Sequence, residues 1–323
     1  MPRLPNPRLL VPASVVAASL LLGIACGPAT NHGAAGPATP AKAAAATPID
    51  GAPDTGVSSP SAVATVAEGL PAAVVAGSQP RAGGRTAGQE DCNEASYDSS
   101  GSPVGAYLCL PDGAGPWPAV VVLHGAEGPR LNPGYRLIAQ GLAQNGFAAL
   151  QIDYFSQTPG DGAFGNPPAA DYLQDAPTWL REIADGISYL QGLPRVDPQR
   201  IGVNGYSLGA FMALDAAMLD PRIKAVVEFY GGVVPGFTTN LDQMPPVLML
   251  HGDADALVPV SDAYTLKDLL SSHGRPYEIT IYAGAPHGFN FIPGPAQQAA
   301  RDDAYARMDA FFTRWLRAPD GGP

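Results

Sequence analysis

The sequence predicts an α/β protein, a mostly parallel sheet with helices on both faces. Two patterns predict it. Short apolar runs of strand length alternate with segments of helical spacing from about residue 117 onward. The runs are continuous rather than alternating, as strands buried on both faces require. A third observation agrees: several chemistry-bearing residues stand just after these runs, where sites of such sheets lie.

The chain opens with "MPRLPNPRLLVPASVVAASLLLGIAC". Arg3 and Arg8 form a positive start, an apolar stretch of about 17 residues follows, and small residues lead to Cys26. This is a secretory signal pattern, expected over 1–26. "LLGIAC" resembles a bacterial lipobox, so Cys26 is a candidate lipidation site. The expected location is outside the cytoplasm, membrane-anchored on the periplasmic or cell-surface side. Soluble secretion and an uncleaved anchor are the alternatives. Residues 27–88 are rich in Ala, Pro and Gly. They bury too little apolar surface to offset ordering and read as a disordered tether. "SAVATVAEGLPAAVVAG" (61–77) alone is apolar enough for a short element.

The expected folded domain spans 89–318, with a disordered tail at 319–323. It begins with a hairpin turning at "SSGS". Cys92 and Cys109 lie equally far from that turn, which sets them opposite each other, close enough for a disulfide. Two free thiols are the alternative. Then follow a strand at 117–125, a helix at 134–146, a strand at 147–155, and a helix at 175–193 with Asp175 as N-cap and Pro177 in its first turn. A strand at 200–207 leads into a helix at 208–219. Strands at 223–231 and 245–253 precede a helix at 261–274, capped by Ser261 and stopped by Gly274. A strand at 277–284 and an amphipathic helix at 295–316 complete the order.

From residue 89 on, 13 basic side chains face 26 acidic ones, a net of −13. Such a field repels phosphate backbones, so nucleic acid is not an expected partner. No CxxC or His/Cys cluster suggests a metal, and no cofactor is implied.

"GVNGYSLGAF" (202–211) places Ser207 between a strand and a helix, with Gly205 and Gly209 keeping bulk away. This is the context of a nucleophile elbow. A serine hydroxyl needs a base to take its proton. Of five histidines, His32 lies in the tether and His273 near a helix end; His124 and His251 precede glycines at strand ends. His287, in "YAGAPHGFNF" after the last strand, is the best base. The imidazole needs an acid, and "HGDADALVP" offers Asp255, with Asp253 and then Asp153 as alternatives. The order Ser207, Asp255, His287 is that of the α/β hydrolases. The oxyanion needs two donors. The Leu208 amide is one, and the Ala126 amide in "LHGAEGPR" the other. Glu127 is a candidate pocket residue or a solvated one. Tyr154, Phe155 and Tyr206 are candidate pocket residues or packing.

"PAVVVLHGAEG", "GFAALQIDYF", "GVNGYSLGA", "LMLHGDADALVP" and "YAGAPHGFNF" occur in that order. On these motifs the chain resembles the dienelactone hydrolase family from about residue 92 to 317. The resemblance implies an α/β-hydrolase fold with nucleophile Ser207, acid Asp255 and base His287. It selects Asp255 over Asp253, because the family's acid stands three residues before a Val-Pro pair. The namesake enzymes carry cysteine in a GxCxG turn, whereas serine stands here, as in relatives that look like general esterases. The expected substrate is therefore a small ester or lactone, cleaved through an acyl-enzyme. A peptidase, an acyltransferase or a non-catalytic binding protein are the rival readings.

Overall fold

The computed structural model describes residues 91–158, 169–233 and 240–317. The expected signal segment, tether, Cys26 lipidation site and C-terminal tail lie outside the described residues.

Strands β1 (Asp91–Ser99) and β2 (Ser102–Leu110) form the expected hairpin. Cys92 pairs directly with Cys109, and the two are disulfide-bonded. Strand β3 (Trp117–Leu123) leads through a short helix α1 (Gly128–Leu131) to α2 (Gly134–Gln144) and β4 (Ala148–Ile152). Helix α3 (Ala169–Gln191), β5 (Val196–Tyr206), α4 (Leu208–Leu219) and β6 (Ile223–Phe229) follow. Strand β7 (Val247–Gly252), α5 (Val260–Ser272), β8 (Tyr277–Tyr282) and α6 (Pro295–Phe312) end the order.

The eight strands make one sheet in the order β1-β2-β4-β3-β5-β6-β7-β8. Strands β3 to β8 pair in parallel, while β2 adds to β4 antiparallel. Each face buries its own apolar cluster. One packs Trp179, Ile183 and Ile187 of α3, Met212 of α4 and Leu266 of α5 on Val121, Val203 and Met249. The other packs Ile138 and Leu142 of α2 and Phe312 of α6 on Val120, Val227 and Leu248. From β3 the chain steps to β4 on one side and later to β5 on the other. The loops after β3 and β5 therefore splay apart and open a crevice at the strands' carboxyl ends.

Several boundaries differ from expectation. Helix α3 starts at Ala169, so Asp175 is not its N-cap and Pro177 lies inside it. Proline removes one helical donor, and the buried side of the helix, from Trp179 to Leu190, carries the element through. Strand β5 starts at Val196, because Val196 pairs with Trp117 and the Trp117 amide donates to the Arg195 carbonyl. Helix α5 is capped by extended Pro259 rather than Ser261; the loop before it must leave β7 and turn back, and proline fixes that exit. Gly274 follows α5 with φ +62°, as a stop glycine should. Strand β4 ends at Ile152, and Tyr154 and Phe155 turn off the sheet.

Candidate active site

The tightest backbone of the site is at Ser207. It has φ 52° and ψ −119°, outside the usual regions for a residue with a side chain. Such a conformation costs about 1–3 kcal/mol and persists only where the surroundings enforce it. They do so here. The Ser207 amide still donates to Phe229 O of β6, while its carbonyl already accepts from the Ala210 and Phe211 amides of α4. A side chain at Gly205 would meet the Gly209 carbonyl at 2.1 Å, and one at Gly209 would meet Leu123 O at 2.4 Å. The two glycines thus let the helix start fold against the ends of β5 and β3.

Asp255 and His287 arrive on neighbouring loops. A side chain at Gly252 would meet Ala285 O at 2.0 Å, so glycine lets the loops after β7 and β8 touch. Ser207 Oγ and His287 Nε2 are 2.9 Å apart, and His287 Nδ1 and Asp255 Oδ2 2.7 Å. An ionised carboxylate can only accept, so Nδ1 donates and Nε2 accepts the serine proton. Asp255 Oδ1 accepts from the Leu257 and Val258 amides. Burial opposes ionisation of Asp255. Its hydrogen bonds with His251, His287 and the Val258 amide outweigh that and hold the carboxyl well below the usual range. Asp253 instead accepts from the Gly284 amide and shapes the turn. Asp153 stands beyond the other wall, 3.7 Å from His124.

Two supports of this chain lie outside the three candidate catalytic residues. The Tyr230 ring packs edge-on against His287 at 4.7 Å, and its hydroxyl donates to Asn290 Oδ1. Tyr230 itself holds φ 43° just after β6. His251, fully buried, donates from Nε2 to Val258 O at 2.9 Å and lies 3.4 Å from Asp255 Oδ2. Behind it is buried Glu228, whose Oε2 accepts from the Gly231 amide. Burial pushes Glu228 up to about 7, with His251 and the Gly231 amide opposing. Burial also disfavours charge on His251, but Asp255 and Glu228 outweigh it and raise its pKa. The strand-end histidine of "LHGD" hinted at His251; nothing marked Glu228, which sits in an apolar run.

Leu208 opens α4, so its amide is among those a helix leaves unpaired. Ala126 lies in the turn closed by the Gly128 amide donating to Gly125 O. The strand-end histidine His124 braces that turn, its Nδ1 donating to Gly125 O at 2.8 Å. Burial lowers His124 to about 3, so it is neutral at ordinary pH. Of the pocket candidates, Glu127 is half-buried and engaged: its Oε1 accepts from Tyr135 Oη at 2.6 Å and Asn132 Nδ2 at 3.1 Å. Tyr154 stacks on His124, Phe155 packs on both, and Tyr206 stacks on Phe229. All three are buried, which is the packing alternative.

A family model described as "Dienelactone hydrolase family" matches residues 104–316. The chain belongs to the dienelactone hydrolase family. A Synechocystis sp. protein, to which carboxymethylenebutenolidase activity is ascribed, is 26% identical over 232 residues, covering 66% of this chain and 93% of its own. A Bradyrhizobium sp. protein, to which 2-oxo-3-(5-oxofuran-2-ylidene)propanoate lactonase activity is ascribed, is 30% identical over 57% of this chain and 78% of its own. Among solved structures, a Klebsiella pneumoniae protein described as a dienelactone hydrolase superposes with TM-score 0.62 at 25% identity, over 70% of this chain and 99% of that one. As a dienelactone hydrolase family member, the chain has the α/β-hydrolase fold and belongs among hydrolases. Among the described residues, no group of three or more His, Cys, Asp or Glu could hold a metal.

Proposed function

We propose that this protein is an exported serine hydrolase that cleaves small carboxylic esters or lactones through an acyl-enzyme. The observation that carries the reading is the unbroken chain from Ser207 Oγ to His287 to Asp255, with contacts of 2.9 and 2.7 Å. His287 takes the serine proton as Oγ attacks the carbonyl carbon. The carbonyl π pair moves onto oxygen, where the Leu208 and Ala126 amides receive it. Collapse expels the alcohol, or the ring alkoxide of a lactone, which takes the proton from His287. Water, deprotonated by the same imidazole, then attacks the acyl carbonyl and frees Ser207. Asp255 holds the tautomer and stabilises the imidazolium throughout. The relatives' ascribed lactone substrates support the carbonyl class, and the bonded Cys92–Cys109 pair suits an oxidising compartment.

A fluorophosphonate probe tests the mechanism. Wild type is expected to label at Ser207 and to hydrolyse short 4-nitrophenyl esters, while Ser207→Ala loses both. Equal labelling of Ser207→Ala, or no labelling of wild type, would defeat the assignment.

A further inference from the structure

The charge around the crevice points to a substrate preference, and the inference rests on the hydrolase reading above. The loop after β3 carries Glu127, the residue after β4 is Asp153, and the loop after β7 carries Asp253 and Asp255. The first turn of α5 adds Asp262. Against these acids, two cations stand at the strands' carboxyl ends among the described residues: Arg130, 3.9 Å from Asp153, and Arg136 in the first turn of α2, paired with Glu94. The other described arginines and lysines lie toward the strands' starts or along the outer helices. Arg195, Arg222 and Lys224 stand at or just before the starts of β5 and β6, Arg200 lies in the first half of β5, and Arg275 just before β8. By sequence, 159–173 and 234–239 contain no Lys or Arg.

Glu127 is the acid tied most closely to the oxyanion turn. A side chain at Gly125 would meet Glu127 Oε2 at 2.4 Å, so this carboxylate lies directly over the backbone that leads into Ala126. It cannot swing away freely. Oε1 is held by Tyr135 and Asn132, and Asn132 Oδ1 in turn accepts from the Gly134 amide. The Tyr135 hydroxyl also accepts from the Gly125 amide at 2.8 Å, so one buried phenol fixes both turn and carboxylate. Electrostatically, Glu127 reaches Tyr230, the ring that packs on His287. A carboxylate held in place by Tyr135 and Asn132 therefore stands beside the oxyanion turn.

We infer that Glu127 is a specificity-determining residue that disfavours acyl groups bearing a carboxylate and directs the site to uncharged esters and lactones. Like charges in a partly desolvated cleft repel far more than in water. A carboxylated acyl chain at Ser207 would find Glu127 beside the oxyanion turn, while the cations at that end, Arg130 and Arg136, already face Asp153 and Glu94. An uncharged chain loses nothing by the same arrangement.

The test is a matched pair of equal acyl length, 4-nitrophenyl hexanoate and mono-4-nitrophenyl adipate, at a pH where the adipate is ionised. Wild type is expected to favour the hexanoate in kcat/KM, and Glu127→Gln, which can still accept from Tyr135, to narrow the ratio about tenfold. The gain should lie in the adipate arm. Salt provides a readout that needs no variant: raising it to about 0.5 M should speed wild type on the adipate and leave the hexanoate unchanged. An unchanged ratio in Glu127→Gln, a wild-type preference for the adipate, or a ratio indifferent to salt would overturn the inference, with Ser207 labelling showing that the hydrolase reading stands. Loss of labelling in wild type would overturn both.

Discussion

Asp255 and Glu228 flank the same buried imidazole, yet one ionises readily and the other resists. Both side chains are buried, and both feel His251. The difference is the donors each collects. Asp255 receives the Leu257 and Val258 amides on one oxygen and His287 on the other, because a loop wraps around it. Glu228 projects from a strand whose amides are spent on the sheet. Only the Gly231 amide reaches it, and Oε1 has no partner among the described residues. Burial is thus common to both, and loop backbone decides which carboxylate is the working anion.

The largest effect should come from neutralising each in turn. Asp255→Asn is expected to lower kcat/KM by about 10³–10⁴-fold, since the amide cannot hold the His287 tautomer. Glu228→Gln should stay within about tenfold of wild type, being one residue removed from the relay. Steady-state assays on a short ester compare them, and similar losses in both would erase the distinction.

His251 sharpens the comparison, because it is the shared neighbour. Its raised pKa favours the cationic form as pH falls. A cation beside Asp255 weakens that residue's stabilisation of the His287 imidazolium. His251→Gln keeps a donor for Val258 O but removes the charge. The acid limb of kcat/KM should then move up by about half to one pH unit. A limb that stays in place would reduce His251 to a purely structural brace.

The smallest effect is on stability. The pKa of Glu228 is raised by folding, from 4.5 to about 7. The folded state therefore binds its proton more tightly than the unfolded state. The carboxyl's contribution to stability falls as pH rises from its unfolded pKa and levels off above the folded one. Glu228→Gln should accordingly gain about 1–3 kcal/mol relative to wild type at pH 8, with the gain fading below pH 5. Thermal or urea unfolding at the two pH values measures it. Asp255 runs the opposite way, stabilising above its unfolded pKa and losing that as pH falls.

Much of the fold was legible because apolar runs of strand length, alternating with helical spacing, fit a buried parallel sheet. The parallel strands, the hairpin and its Cys92–Cys109 register all followed from spacing. Boundaries failed where a neighbour decided them: Trp117 extends β5, and packing carries α3 through Pro177. In the site, Ser207, Asp255 and His287 were readable as polar residues stranded just after buried strands. Glu228 and Tyr230 were not, since inside an apolar run a titratable or aromatic residue looks like any other core position.

The sequence by itself determined the alternation of elements, the sheet's class and the order of the three candidate catalytic residues. These depend on periodicity and on glycines, which act locally. Only the tertiary structure decided the contacts of 2.7 and 2.9 Å that join Asp255, His287 and Ser207, that Tyr154, Phe155 and Tyr206 are packing, and that Glu127 lies over the oxyanion turn. The first two are contacts between segments far apart in the chain. The sheet sets them, by bringing the carboxyl ends of β3, β5, β7 and β8 to one edge.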